Sequence, residues 1–297
     1  GRAACAAGWR RGARGAMSAG APDWRPGASP ERLRQRAQLL AGIRAFFAER
    51  GVLEVDTPQL VNHAVTDVNI HSAEVRWPGA DERPRYLHTS PEYAMKRLLA
   101  AGSGDIYQLC HVFRGAEQGA LHNSEFMIVE WYRLGWTLAA LMDEVDQLLR
   151  RQLGAAAGAP ARYLTYEQAF LDALGVSPLR ATDSELAGCA RACGFEATLI
   201  QRCGRDEILD LLMALRIGPQ LGMDAPVFVH RYPASQAALA RLDPDDARVA
   251  LRFELYLRGV ELANGFEELG DSPEQRRRFA DDQRVRAARN LPVPPMD

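Results

Sequence analysis

No stretch of the 297 residues is apolar for long enough to cross a membrane as a helix. Zinc-ligand spacing is absent from the five cysteines. Cys189 and Cys193 stand four apart in an expected helix and Cys203 follows, so they read as small buried hydrophobes in a reducing compartment. An excess of basic charge is lacking too. Lys and Arg total 36 against 38 Asp and Glu, a net charge of −2, and no global field favours nucleic acid. The triplet Arg276-Arg277-Arg278 has Glu274, Asp281 and Asp282 around it and reads as a solvated helix face. No Ser–His or Cys–His arrangement suggests a covalent nucleophile. The first twenty residues hold no acid and no secretory apolar core. We expect translation to begin at Met17, residues 1–28 to be a disordered or non-native extension, and 29–297 to form one domain.

What is present centres on Asp105 to Trp136. Ile106, Leu109, Val112 and Phe113 give one apolar arm, and Phe126, Ile128, Val129, Trp131 and Tyr132 the other. Gly115, Gly119, His122 and Asn123 fall between them, where a loop is expected. Arg114 at the loop base suits phosphate, because its planar fork bonds two oxygens at once. Glu130 and Tyr132 on the returning arm suit an ammonium. The hairpin therefore reads as a site joining a phosphate-bearing ligand to an amine, or else as a surface hairpin with ordinary salt bridges.

The rest of the chain supplies a scaffold. Ser29-Pro30 caps and opens a helix to Arg50, with Leu33, Ala37, Leu40, Ile43, Phe46 and Phe47 on its apolar face and Gly51 ending it. Residues 52–61 read as a strand interrupted by Pro58, and Val68–Trp77 as another strand. A short strand, a turn and a helix follow, with Ser90 as cap, Pro91 at the first helical position and Glu92 in the first turn. There Glu92 complements the helix dipole. Thr137–Leu153 is a helix and 154–161 a flexible link. Residues 162–225 read as a helical insertion with Phe170, Leu186, Ile208, Leu211 and Leu212 in its core. Residues 225–233 return as a strand, and Ser272–Asn290 is a surface helix.

A second hairpin turns at Arg258-Gly259. Leu257 then faces Val260 and Tyr256 faces Glu261, which puts Glu254 and Glu261 on one face. Two carboxylates there repel unless a cation lies between them. Magnesium carrying nucleotide phosphates is the natural occupant, and a solvated acidic strand is the plainer alternative. Asn264, Gly265 and Glu268 follow at the strand end.

Arg114, His122, Asn123, Glu125, Phe126, Glu130 and Tyr132 resemble motif 2 of class II aminoacyl-tRNA synthetases, in its lysine branch. Residues 252–269, 88–102, 232–242 and 278–297 extend the likeness, closest to the short members that ligate (R)-β-lysine to translation elongation factor P. The resemblance covers roughly residues 30–297. It implies an α+β fold, an antiparallel sheet flanked by helices with a helical insertion at about 162–225. It implies a homodimer through a motif 1 region at about 31–60, and ATP and Mg2+ as cofactors. (R)-β-lysine is the implied substrate and elongation factor P the acceptor.

The resemblance assigns Arg114 to catalysis. With Glu117, His122, Asn123, Phe126, Glu261 and Leu262 it forms the implied ATP site, Phe126 stacking on adenine. Ser90, Glu92, Glu130, Tyr132, Asn264 and Glu268 are the implied amino-acid site. Glu92 would grip the reacting amine, Asn264 the carboxylate, and Glu130, Tyr132 and Glu268 the distal ammonium. Glu254 and Glu261 are the implied metal ligands.

Three departures stand out. The loop reads Gly115-Ala116-Glu117 where relatives have Asn-Glu directly after the arginine. Ser124 replaces a proline. The Gly-rich motif 3 is missing after Pro292, Pro294 and Pro295, so the chain reads as truncated before it. A lysyl-tRNA synthetase is the alternative, but no room remains for its N-terminal anticodon-binding OB-fold. A non-catalytic nucleotide- or protein-binding paralogue is the other.

Overall fold

The computed structural model describes residues 26–76, 83–115, 119 and 122–297. The expected extension over 1–28 lies almost wholly outside these residues, as do Trp77, Ala116 and Glu117.

Helix α1 (Pro30–Ala48) begins as the sequence dictates: Ser29 Oγ accepts from Arg32 N at 3.3 Å, and Pro30 needs no partner for its missing N–H. Gly51 sits at φ +68°, beyond the helix end, where a side chain would be strained. Only half of the expected apolar face is used. Ile43, Phe46 and Phe47 are buried, while Leu33 and Leu39 are 55% and 43% exposed.

The chain from Val52 to Val61 splits at Pro58 into β1 (Leu53–Glu54) and β2 (Leu60–Val61), which join different sheets. The strand expected over 68–77 is cut down to β3 (Ala73–Val75), paired with β4 (Arg85–Leu87). Helix α2 (Glu92–Ala100) starts one residue later than expected. Its N-cap is Pro91 rather than the expected Ser90, although Ser90 Oγ accepts from Glu92 N at 3.0 Å.

Strands β5 (Ile106–Phe113) and β6 (Glu125–Tyr132) pair antiparallel over all eight positions, from Ile106↔Tyr132 to Phe113↔Glu125. β1 lies parallel to β5 on the other side. Helix α3 (Leu138–Leu153), capped by Thr137, ties the two halves of the domain together. Its Leu148 packs with Phe47 and Tyr107, and its Leu138, Met142 and Val145 pack with Phe228, Phe253 and Leu255. Each such buried side chain contributes about 1.5–3 kcal/mol.

The segment 154–161 is not a bare link. It forms a 3₁₀ turn (Gly154–Ala157) with Ala157 fully buried. The following region opens as a strand, β7 (Arg162–Thr165), parallel to β8 (Val227–Pro233). Its helices are α4 (Tyr166–Leu174), α5 (Asp183–Ala192), α6 (Ala197–Ile200) and α7 (Arg205–Leu212). They enclose Phe170, Leu186, Ile208, Leu209 and Leu212; Leu209, rather than the expected Leu211, is the buried leucine. Cys189, Cys193 and Cys203 pack against this core as expected.

β9 (Val249–Leu257) and β10 (Val260–Phe266) complete a sheet of order β10-β9-β8-β7. The architecture is α+β, and two of its strand pairs are parallel. Helix α8 (Ser272–Ala288) is less solvated than its charge suggested. Asp282 accepts from Thr66, and buried Arg286 donates to the carbonyls of Asp67 and Pro292. No described helix is long and apolar enough to cross a membrane.

Gly222 shows where backbone closeness fixes the sequence. At φ +73° it sits where an added Cβ would be 2.5 Å from Tyr256 O and 2.6 Å from Leu257 Cα. Gly222→Ala should cost about 2 kcal/mol through left-handed strain and overpacking. Urea unfolding would read this as a lower midpoint; an unchanged midpoint would contradict it.

Candidate active site

β6 acts as a ruler for the site. Phe126, Ile128, Glu130 and Tyr132 share one face, because side chains alternate along a strand. Phe126 and Glu130 are four positions apart, roughly 13 Å at strand rise. The Phe126 end adjoins Arg114, and the Glu130 end meets α2.

At the Phe126 end, Arg114 continues the ladder, its N–H donating to Ser124 O at 2.8 Å. Its Nε donates to Thr89 O at 3.2 Å, and the guanidinium carbon lies 5.2 Å from the Phe126 ring centre. Gly115 is pinned to His71 O by a 2.7 Å hydrogen bond. His122 and Asn123 are exposed at the loop, and His122 O accepts from Gly119 N at 3.0 Å. Glu117 lies outside the described residues.

At the other end three carboxylates converge from three elements. Glu130 Oε1 accepts from Tyr132 at 2.9 Å and Oε2 from Ser90 at 2.6 Å. Glu92, in the first turn of α2, and Glu268, held by a bridge to Ala240, meet through Lys96. Lys96 Nζ is 2.6 Å from Glu92 Oε1 and 2.5 Å from Glu268 Oε2. Desolvation and the charge of Glu92 push Glu130 up to about 7. Desolvation likewise pushes Glu268 up to about 7, against the pull of Lys96. Burial disfavours the Lys96 ammonium, yet Glu92 and Glu268 outweigh it and hold its pKa above the ordinary value.

Both glutamates titrate above their unfolded value. Their protonated forms therefore stabilise the amine-free fold at acid pH, and that contribution is lost as the pH rises through about 7. An ammonium ligand needs the charged forms, so its affinity should fall as the pH drops through the same window. Amine binding near neutrality should release about one proton in total from the pair. Calorimetry in buffers of different ionisation enthalpy measures this; a heat independent of buffer would contradict it.

The second hairpin has the expected turn register, Leu257↔Val260 and Tyr256↔Glu261. Beyond Glu261 a β-bulge at Leu262 shifts the pairing, so Asn264 faces Glu254. In a regular ladder Asn264 would point to the other side; the extra residue turns it onto the face of Glu254. Leu262, the bulged residue, is 48% exposed.

The cation beside Glu254 is Arg252. Its Nη2 donates to Glu254 Oε1 and its Nε to Asn264 Oδ1 at 2.8 Å. Tyr256 donates to Glu254 Oε2 at 2.6 Å. Arg252 thereby offsets the like-charge repulsion that pointed to a metal, and its pKa is raised by Glu254 and Glu261 among others, after burial that lowers it. No group of three or more metal-ligating side chains occurs among the described residues. The face nevertheless already accommodates positive charge, and two hard carboxylate donors suit a magnesium ion that takes its other ligands from phosphates and water.

Apart from Glu117, Asn123 and Glu125, the residues singled out from the sequence for the site border one open cleft. Sequence reasoning missed two of its members. Lys96 stands four residues after Glu92, a helical ion-pair spacing that could have disclosed it. Arg252 shares a strand face with Glu254 two residues on.

The family described as tRNA synthetases class II (D, K and N) matches residues 21–290. The chain is 50% identical to an elongation factor P–(R)-β-lysine ligase of Erwinia tasmaniensis over 278 residues, 93% of this chain and 85% of that one. Similar proteins with the same name come from Vibrio vulnificus, 49% identical, and Pectobacterium carotovorum, 47% identical, with the same coverage.

Proposed function

The chain belongs to the class II tRNA synthetase family, and from that premise we propose that it is an ATP-dependent ligase. It joins (R)-β-lysine to a lysine side chain of elongation factor P. The observation that carries this reading is the convergence of Glu92, Glu130 and Glu268 at one end of a strand face whose other end holds Phe126 and Arg114. The same cleft can bind a diamino acid and a nucleotide end to end.

In the first step the amino-acid carboxylate attacks the α-phosphorus of ATP. A phosphorus–oxygen bond forms, the bond to pyrophosphate breaks, and pyrophosphate leaves. Both reactants are anionic, so positive charge near the reacting oxygens lowers the barrier. Arg114 supplies it, its Nε anchored on Thr89 O. Phe126 packs on the adenine, and His122, Asn123 and Leu262 complete the nucleotide site, to which the family resemblance also assigns Glu117. Glu254 and Glu261 would hold a magnesium ion, which when bound offsets phosphate charge.

Asn264 is suited to the substrate carboxylate. Because Arg252 occupies its Oδ1, its NH2 remains a donor. Ser90 and Tyr132 orient Glu130 toward the amine. An apolar competitor would leave three carboxylates without partners, so the pocket selects diamino acids. In the second step a neutral lysine amine of the acceptor attacks the adenylate carbonyl, and AMP leaves. No enzyme nucleophile takes part.

The exposed Leu33 and Leu39 of α1 support a homodimer through this region, and the enzyme acts in the cytoplasm. Amino-acid-dependent ATP–pyrophosphate exchange tests the activation step. Exchange with (R)-β-lysine preferred over α-lysine is expected, and preference for α-lysine would overturn the substrate assignment.

A further inference from the structure

Lys96 is the only lysine in the chain; every other one of its 36 basic Lys and Arg residues is arginine. That lone ammonium lies between Glu92 and Glu268, in ion-pair contact with one oxygen of each. Its side chain is only 23% exposed. Both carboxylates belong to the amine pocket described above, on which this inference rests.

An ammonium differs from a guanidinium in ways that matter here. It is a compact point charge on a flexible stem, whereas arginine is a broad planar fork. It is also the same chemical group as an ammonium of the diamino-acid substrate. Two ammonium groups cannot both fill the gap between one pair of carboxylates. We propose that Lys96 is a resident stand-in for the substrate's ammonium, filling the gap between Glu92 and Glu268 when the pocket is empty and swinging out when the diamino acid enters. It is a positioning and specificity-determining residue, not a catalytic one. Substrate binding is then an exchange of one ammonium for another. Only a ligand that offers an ammonium at this point can compensate for the displacement, so neutral and acidic amino acids are turned away twice.

The charged and titratable groups facing this gap are few. Glu92 and Lys96 come from α2, Glu130 and Tyr132 from β6, Glu268 from the segment after β10, and Cys110 from β5, whose thiol is pushed up by burial and by Glu130. Lys96 is the one cation in direct ion-pair contact with Glu92 or Glu268 among the described residues.

The single lysine makes a direct test practical. Protein grown on 13C,15N-lysine carries one labelled side chain, so its ε-methylene and ammonium signals report Lys96 alone. Titration with unlabelled (R)-β-lysine should move these signals, saturating with the binding curve, and speed exchange of the ammonium protons. Lys96→Met should bind the diamino acid about tenfold more tightly above neutral pH, because the competing state is gone. Its affinity should also fall more steeply on acidification than that of wild type.

Unmoved Lys96 signals at saturation would overturn the proposal. So would a Lys96→Met variant that binds more weakly while Lys96→Arg binds normally, because that pattern marks a fixed clamp. Glu268→Gln judges the amine pocket separately. Affinity equal to wild type in that variant would remove the pocket assignment itself, whatever Lys96 does.

Discussion

Arg114→Ala lowers amino-acid-dependent ATP–pyrophosphate exchange by about 10³-fold, the scale of losing one preorganised charge stabiliser. The size follows from position. The Arg114 backbone is locked by Ser124 O at 2.8 Å and its Nε by Thr89 O at 3.2 Å. The guanidinium is therefore oriented before substrates arrive, and charge stabilisation costs no reorganisation in the transition state. Arg114→Lys should recover little, since an ammonium cannot bond two oxygens in one plane. Amine affinity in the absence of ATP should stay near wild type, because the amine end lies roughly 13 Å along β6. Exchange within a few-fold of wild type in the alanine variant would remove Arg114 from the chemistry.

Glu268→Ala acts at the opposite end. Truncating one member of a desolvated charge cluster should weaken diamino-acid binding by about 10²-fold. ATP binding should be unchanged. The loss is large because Glu268 is placed by its bridge to Ala240 and is not free to be replaced by a neighbour. Glu92 and Glu130 remain, but Glu130 is already engaged by Ser90 and Tyr132, and Glu92 alone leaves the substrate ammonium one carboxylate short. Equilibrium binding of each ligand separately checks both halves. An equal loss of ATP affinity would mean that Glu268 supports the cleft as a whole.

The parts of this site legible in the sequence are those set by local rules. Apolar arms around a polar loop marked the β5–β6 hairpin, and the Arg258-Gly259 turn put Tyr256 opposite Glu261; both pairings are present. Ser29 and Thr137 cap their helices as their residue types dictate. What escaped depends on contacts far apart in sequence. The bulge at Leu262 has no marker in Glu261-Leu262-Ala263, yet it decides which way Asn264 points. Arg252 as the counter-ion of Glu254 supplies from within the chain the cation for which magnesium had been the expected occupant. The exposed half of α1 could not be told from its buried half, because helical periodicity names a face and not its partner. Lys96 was not singled out, because in the sequence its spacing to Glu92 marks no more than a pair along one helix. Only the fold brings Glu268 to the same nitrogen.

The proposed reaction is ligation of (R)-β-lysine to elongation factor P. Its most direct test is intact-mass analysis of purified elongation factor P after incubation with this chain, ATP, Mg2+ and (R)-β-lysine. The expected result is a gain of one β-lysyl residue at a single lysine, dependent on ATP and lost with Arg114→Ala. An unmodified elongation factor P, under conditions where pyrophosphate exchange proceeds, would contradict the acceptor assignment and with it the function proposed for the chain.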